Sequence, residues 1–498
     1  MPSNSPKKPT RTSNVLALSF GKGLATVIAL VSGMVMARIL SQTELATYRQ
    51  TMLAYNVMVP VLSLGIGSGI YYFLPTEKLR VRGVVVDGLL MMVGMGLLYA
   101  VFIAVGGNHL LAKRFSNPAI VNTLAYLVPL PIIMLPAGLL ASVMVVQNQV
   151  QKLTVYNVLS SLLLATGVIV ACVAWKSPDA MILTRVGISV ATGLVAIYLI
   201  LRAVPADAWQ PSLTSMKQMI AYSIPLVLAG ALGTISLQID KLIVSSMCSP
   251  EQFAVYSNGA IEIPLIGILT GSIAAVIQPD LRRMVADGNF SAALALFRQA
   301  ASKSAVVLIP VMMFLLISAE PFILTLFSSK YSGSVLPFRL YLLILPARIV
   351  YYGVFMMALG LNKMILYRTV IGLIANLVLS IILVQWLGFI GAIVGTILTL
   401  YLVACAWNFA VISRAVGCRW WQIVPFGSLF QLAGISILAG IPLAMMTPFV
   451  HKVVPVGQLM LYAAIFFPTL AALAWLFRIE LLTRECRKLW NRGLALWR

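Results

Sequence analysis

The sequence predicts an all-α membrane protein with about fourteen transmembrane helices, and three observations lead there. Hydrophobic residues make up 61% of the 498 and charged residues 10%, against ~45–50% and ~25% in soluble domains. The apolar residues gather into runs of about twenty, the length that spans a ~30 Å hydrocarbon core. The alternating strand pattern of a β-barrel is absent. Backbone groups in lipid must be paired within the chain, so these runs read as helices.

In chain order the runs cover 15–37, 50–74, 84–106, 119–146, 153–175, 180–201, 218–245, 253–279, 304–326, 335–359, 364–385, 388–412, 424–447 and 456–477. Ahead of the first stands a basic leader with Lys7, Lys8 and Arg11 among Pro, Ser and Thr. The apolar stretch it enters is too long for a signal h-region, so residues 1–14 are expected to be a cytoplasmic tail and not a cleaved signal. Lys and Arg set the orientation. With the N-terminus inside, the inner segments (Lys78, Arg80, Arg82, Lys152, Arg202, Lys217, Arg282, Arg283 and onward to the basic tail 481–498) carry more than twice the Lys and Arg of the outer ones. Both termini are therefore expected in the cytoplasm, with the chain in a bacterial inner membrane.

The net charge of +22 follows first from this topology and from attraction to anionic headgroups. No basic stripe is coupled to a soluble domain, so nucleic acid is not an expected partner. The outer side nevertheless holds more basic residues than topology requires, which leaves room for an anionic ligand. The five cysteines, Cys172, Cys248, Cys405, Cys418 and Cys486, form no C-x-x-C, and His109 and His451 lie far apart. Neither a disulfide framework, a metal site nor a cofactor is expected.

Loops are short. The longest internal break, 280–303, spaces Phe290, Leu294 and Phe297 as an interfacial helix would, and is expected to link two halves of the chain. An internal repeat supports two halves. Ser41-Gln-Thr-Glu-Leu-Ala-Thr-Tyr48 returns as Ser249-Pro-Glu-Gln-Phe-Ala-Val-Tyr256. Upstream, Arg38-Ile-Leu-Ser41 resembles Leu242-Ile-Val-Ser245 at a shorter offset, which implies a four-residue insertion in the second copy. The matched segments lie six helices apart and so share an orientation. This predicts two pseudo-symmetric six-helix lobes, 15–205 and 206–415, in a parallel repeat, followed by two further spans in 416–480.

Enzymatic readings find no support: there is no Ser/His/Asp set, no P-loop and no nucleotide domain. Gly65-x-Gly67-x-Gly69 lies inside an apolar span, so it reads as close helix packing, as do Gly267-x-x-x-Gly271 and Gly391-x-x-x-Gly395. Charges within spans are more informative, because a charge at the helix centre costs ~2.5–3.5 kcal/mol on insertion scales. Lys22, Glu262 and Arg348 fall within spans. A water-filled cavity and a buried ion pair are the two readings of that set. Arg38, Arg49, Asp240 and Lys241 gather near the outer ends of spans one, two and seven. For the basic three, substrate contact competes with plain snorkelling, and Asp240 has Lys241 beside it for local neutralisation. Asp87 and Arg368 are expected at the inner face, within reach of headgroups. Prolines 60, 225, 264, 310 and 346 interrupt spans. Pro264 and Pro346 stand two residues from Glu262 and Arg348, as broken helices near a binding site would place them.

At these residues the chain resembles the polysaccharide transporter family, the Wzx-like lipid-linked oligosaccharide flippases of the multidrug/oligosaccharidyl-lipid/polysaccharide exporter superfamily. Three segments carry the resemblance over residues 14–412: Ala37 to Tyr48; Ser223-Ile-Pro-Leu with Ile239-Asp-Lys-Leu-Ile243 and Phe253-Ala-Val-Tyr256; and Asn376-Leu-Val-Leu-Ser with Leu387-Gly-Phe-Ile-Gly-Ala-Ile393. The chain departs from the family at Ala46 and Ala254, where Gly is usual. The resemblance implies a pair of lobes around a cationic cavity that carries an undecaprenyl-diphosphate oligosaccharide from the cytoplasmic to the periplasmic leaflet. Lys22, Arg38, Arg49, Arg348 and Lys241 are then candidates for the diphosphate or acidic sugars, and Glu262 or Asp240 for coupling to H⁺ or Na⁺. Membrane lipids and a polysaccharide polymerase or assembly apparatus are the expected partners. The rivals are a drug/cation antiporter of the same superfamily, which calls for an acid-rich cavity, and a glycan polymerase or ligase, which calls for a large periplasmic loop. A non-transporting scaffold is the third.

Overall fold

The computed structural model describes residues 27–77, 80–206, 210–261, 263–450 and 453–477. Every element among them is helical. The chain divides into two compact units, Met1–Ala254 and Val255–Arg498.

The first unit runs through α1 (Val27–Ile39), α2 (Gln42–Leu62), α3 (Ile66–Phe73), α4 (Val81–Phe102), a π turn, α5 (Asn108–Arg114), α6 (Ile120–Tyr126), α7 (Pro129–Ala137), α8 (Leu140–Val146), α9 (Val150–Trp175), α10 (Pro178–Ala203) and α11 (Leu213–Met247). The short helix α12 (Pro250–Gly259) carries the division. The second unit continues with α13 (Pro264–Ala286), α14 (Phe290–Ile317), α15 (Ala319–Phe327), α16 (Val335–Leu342), α17 (Leu345–Arg348), α18 (Tyr352–Ala358), α19 (Asn362–Leu387), α20 (Phe389–Leu398), a π-helical stretch Thr399–Cys405, α21 (Ala406–Val416), α22 (Phe426–Val450) and α23 (Pro455–Leu476).

Ten helices among the described residues are long and apolar enough to cross a membrane, or eleven if the bent pair Ser329–Leu342 and Leu345–Ala358 counts as one span. All eleven fall on expected runs. The three other expected runs hold Val27–Ile39, the 35-residue α11, and α12 with α13, which are helical but outside that group. The chain is thus a multi-pass membrane protein, with ten or eleven candidate spans by length and composition among the described residues. Tight hairpins separate the most closely spaced runs. Lys176 turns the chain in the left-handed region at φ 49° between α9 and α10. Gly388 does so between α19 and α20 at φ 60°, where a Cβ-free residue is favoured.

The segment expected to form a separate interfacial helix does not. α13 runs on to Ala286, the chain turns through Asp287–Asn289, and α14 begins at Phe290 with the Asn289 side chain accepting from the Ala292 N–H at 3.0 Å. Phe297, expected at an interface, is buried and stacks on Phe355 with ring centroids 4.8 Å apart. The two flanking helices are simply longer than a bilayer needs, and their polar ends mimic a third element in the sequence.

The repeat has a structural cause. Ser41 is the N-cap of α2 in a reciprocal capping box: its hydroxyl accepts from the Glu44 N–H at 3.2 Å, and Glu44 accepts from the Ser41 N–H at 2.8 Å. At α12, Ser249 and Gln252 repeat this exchange at 3.3 and 3.1 Å. The residues that follow are buried at matching positions: Leu45 with Phe253, Ala46 with Ala254, Tyr48 with Tyr256. Thr43 and Glu251, equivalent positions of the two copies, are joined by a hydrogen bond of 2.8 Å from Thr43 Oγ1 to Glu251 Oε1. The four-residue insertion is not needed. α1 ends at Ile39 and α11 at Met247, each two residues before its capping serine. The apolar tetrapeptides that suggested a shorter offset lie in or beside helical ends, where such composition is common. Ser245 has a different role from Ser41, accepting from Gln50 Nε2 at 3.0 Å.

Candidate functional site

In the second unit two broken helices flank one recess. α12 ends at Gly259, and Pro264, without an N–H to donate, opens α13 after an extended Ile263. Opposite, the chain bends by 45° between α16 and α17, with Pro346 in the first turn of α17. The Leu343 carbonyl at this bend accepts from the Tyr401 hydroxyl at 2.8 Å, and Tyr401 comes from the π-helical stretch. The broken backbone is therefore held by a side chain from a third helix.

The recess, counted out into the open space at its mouth, spans about 340 Å³ and is walled by Ile261, Ile263, Ile266 and Gly267 on one side and by Tyr341, Leu342, Ile344, Leu345 and Arg348 on the other. Arg348 is the one charged side chain among these residues. A second recess of about 240 Å³ continues along the same stripe of α13, past Thr270, Ala274 and Ile277, toward Phe297 and Ser304 of α14. A guanidinium in apolar walls is suited to a carboxylate or phosphate, which it grips through a planar fork of donors.

Small residues make room here. A Cβ built on Gly267 or Gly271 meets nothing within 4 Å. The expectation that this pair serves close packing is therefore corrected: on this face of α13 the missing side chains leave space. The other glycines do pack. A Cβ on Gly65 would lie 2.5 Å from Val227 of α11, one on Gly69 3.0 Å from the Ser223 hydroxyl, and one on Gly67 3.2 Å from the Ser142 hydroxyl. At Gly391 it would strike the Leu383 backbone, and at Gly395 the Ser380 hydroxyl at 2.5 Å.

The first unit holds a buried polar network that the sequence reading missed. Asn117 Nδ2 donates to Gln50 Oε1 at 2.8 Å and to Thr47 Oγ1 at 3.0 Å. Gln50 in turn reaches Ser245, and Thr51 and Thr123 share a hydrogen bond of 2.6 Å. Beside it Arg185 of α10 donates to the Tyr48 hydroxyl at 3.2 Å, while its buried Nε has no partner. Its place within the run 180–201 was the available signal.

The expected site residues separate as follows. Lys22 and Glu262 lie outside the described residues, although Ile261 and Ile263, the sequence neighbours of position 262, line the Arg348 recess. Arg38 is exposed at the end of α1, and Arg49 is half-buried on α2. Asp240 is buried and Lys241 half-buried on α11, which packs along α2. Arg49, Asp240 and Lys241 thus stand on adjacent helices near the Gln50–Ser245 contact. Asp87 is not at a headgroup surface. It is fully buried, paired with Arg80 at 3.0 Å, and accepts from the Ser212 N–H at 3.0 Å.

Outside the recess one carboxylate has a clear electrostatic signature. Glu251 is held below the usual carboxylate range, first by its own backbone N–H, then by the Thr43 and Ser249 hydroxyls, against a smaller opposing effect of burial.

Known proteins share this architecture. A lipid II flippase MurJ in an inward closed conformation aligns over 92% of this chain and 99% of its own, with a TM-score of 0.70 and 14% identity. An inward-facing multidrug resistance MATE family transporter of the MOP superfamily aligns over 81% and 98%, with a TM-score of 0.60 and 15% identity. At these identities the likeness is one of fold. In sequence, 119 residues are 27% identical to a probable lipid II flippase MurJ of Rhizobium meliloti (strain 1021), covering 24% of this chain and 22% of the relative. Residues 35–336, well over half of the chain and including both capping boxes and the first wall of the recess, match one family throughout. The chain belongs to the family described as Polysaccharide biosynthesis protein.

Proposed function

We propose that this protein is a flippase that carries a lipid-linked, anionic oligosaccharide from the cytoplasmic to the periplasmic leaflet of a bacterial inner membrane, for surface polysaccharide synthesis. The observation that carries the reading is the Arg348 recess, set between two proline-broken helices in a chain of the polysaccharide biosynthesis family. The name of the structurally similar flippase, which designates lipid II, supports a lipid-borne cargo. Arg348, Lys22, Arg38, Arg49 and Lys241 hold the diphosphate or acidic sugars as two six-helix lobes, 15–205 and 206–415, alternate in access. Glu262 or Asp240 couples the movement to H⁺ or Na⁺; one charge crossing 100 mV supplies ~2.3 kcal/mol. The polymerase and assembly proteins act on the delivered cargo.

Replacing Arg348 or Lys22 by Ala in the producing cell should lower surface polysaccharide at least roughly tenfold, a loss of about 1.4 kcal/mol or more of transition-state stabilisation. Protein level and melting temperature should stay at wild-type values. Arg348→Lys, which keeps the charge but not the fork, should retain an intermediate level. Normal export by both alanine variants would sink the reading. Drug sensitivity that rises while export is unchanged would replace it with the antiporter.

A further inference from the structure

Away from the recess, the second unit carries a half-buried arginine with no counter-charge. Arg368 lies six residues into α19, about 9 Å from its start at 1.5 Å per residue. Its Nη1 donates to Asn408 Oδ1 of α21 at 3.3 Å, and Asn408 is itself buried. No carboxylate pairs with Arg368 among the described residues. A guanidinium in an apolar span, with the Asn408 amide and the Cys405 thiol near it and no carboxylate, is costly to hold, and an anion would relieve that cost.

A second observation adjoins it. Phe409, next to Asn408, packs against Trp420 with ring centroids 6.0 Å apart. Trp420 and Trp421 form a short 3₁₀ turn, and they remain 52% and 47% exposed. The Arg419 guanidinium lies 5.2 Å over the Trp421 ring, and its backbone N–H donates to Gln422 Oε1 at 2.9 Å. Ile423 and Val424 directly after the turn are buried and anchor it. Paired tryptophans beside a cation are what a membrane–water boundary selects, the rings among headgroup carbons and the charge among phosphates. The positive-inside bias puts this end of α19 and α21 at the cytoplasmic leaflet, where anionic lipid supplies the complementary charge.

We propose that Arg368 with Asn408, and Arg419 with Trp420 and Trp421, form a binding site for the phosphate headgroup of an anionic glycerophospholipid. Arg368 draws the phosphate in from the boundary, Arg419 meets its outer oxygens, and the indoles cover the glycerol and upper acyl carbons. The site is separate from the residues assigned to the cargo.

The full-length protein in neutral detergent, examined by native mass spectrometry with phosphatidylglycerol or phosphatidylcholine of matched acyl chains, tests this. Wild type should retain phosphatidylglycerol roughly tenfold better, a 1.4 kcal/mol preference. Arg368→Gln with Arg419→Gln should remove the preference, and Arg368→Lys should keep most of it. Asn408→Asp sets a carboxylate against Arg368 and should also remove it. Should that buried variant fail to fold, the glutamine pair, which should melt as wild type, still decides. Equal retention of the two lipids by wild type would overturn the proposal. So would an unchanged preference in the glutamine pair, or displacement of phosphatidylglycerol by an equal concentration of undecaprenyl phosphate, which would assign the site to cargo.

Discussion

At the scale of single residues, Asn117 shows how little polar chemistry an apolar unit tolerates unpaired. Its amide satisfies Gln50 and Thr47 together, and its carbonyl oxygen accepts from the Ala119 N–H at 3.2 Å. Asn117→Ala strands the buried Gln50 oxygen, so unfolding in detergent should show a loss of ~1–3 kcal/mol. Glu251 responds to acid instead. Its carboxyl titrates below the usual range, so the stability it contributes is complete above the ordinary carboxylate pKa and fades as pH falls through its lowered value. Thr43→Val removes one of the depressing hydrogen bonds, so in melting curves between about pH 3 and 6 the acid-dependent loss should be smaller and end at higher pH. A melting profile identical to wild type would contradict this. The capping serines were visible in the sequence as a repeat, because the box has a fixed spacing. The Asn117 network was not, since its members are scattered polar residues whose partners come from distant helices.

At the scale of helices, glycine has two opposite uses that share one sequence pattern. Gly391-x-x-x-Gly395 brings α20 onto the backbone of α19 at a hairpin, whereas in Gly267-x-x-x-Gly271 both positions face open space and Gly267 lines the recess with Arg348. Periodicity locates a small-residue face but says nothing of what lies opposite, so the recess was not legible while the breaks at Pro264 and Pro346 were. The two pairs should respond differently. Gly391→Ala meets backbone that has no freedom to yield and should destabilise by ~1–3 kcal/mol. Gly267→Leu should melt close to wild type yet export roughly tenfold less polysaccharide, because its side chain takes the space beside Arg348. Normal export by a stably folded Gly267→Leu would remove the recess from the transport path.

At the scale of the molecule, fold class and hairpin positions were legible because bilayer thickness sets run length, a constraint that acts without knowledge of tertiary partners. The 280–303 segment was misread because two long helices with polar ends imitate three. The last two helices, outside the repeat, also have a place now: α22 packs along α14, and α23 packs against α22 and α15. Phe314 meets Phe466 and Phe467 there, with ring centroids 5.6 and 5.4 Å apart. The proposed orientation has a direct check. On intact cells, a membrane-impermeant thiol reagent should modify a single cysteine at Lys176→Cys and leave one at Asp287→Cys untouched until the membrane is opened. The opposite pattern would invert the topology.

The buried Asp87 has a consequence for how the chain is made. Its second partner, the Ser212 N–H, is synthesised 125 residues later, which at ~5–20 residues per second is a delay of roughly 6–25 s. During that interval Arg80 alone must neutralise the carboxylate. Arg80 Nη2 later also donates to the Gln210 carbonyl at 2.7 Å. The arrival of this short polar segment therefore marks the moment when the first half of the chain can close around an ion pair whose carboxylate is fully buried and whose guanidinium stays partly exposed. A nascent chain stalled before Ser212 would still display an acid that has nowhere settled to go.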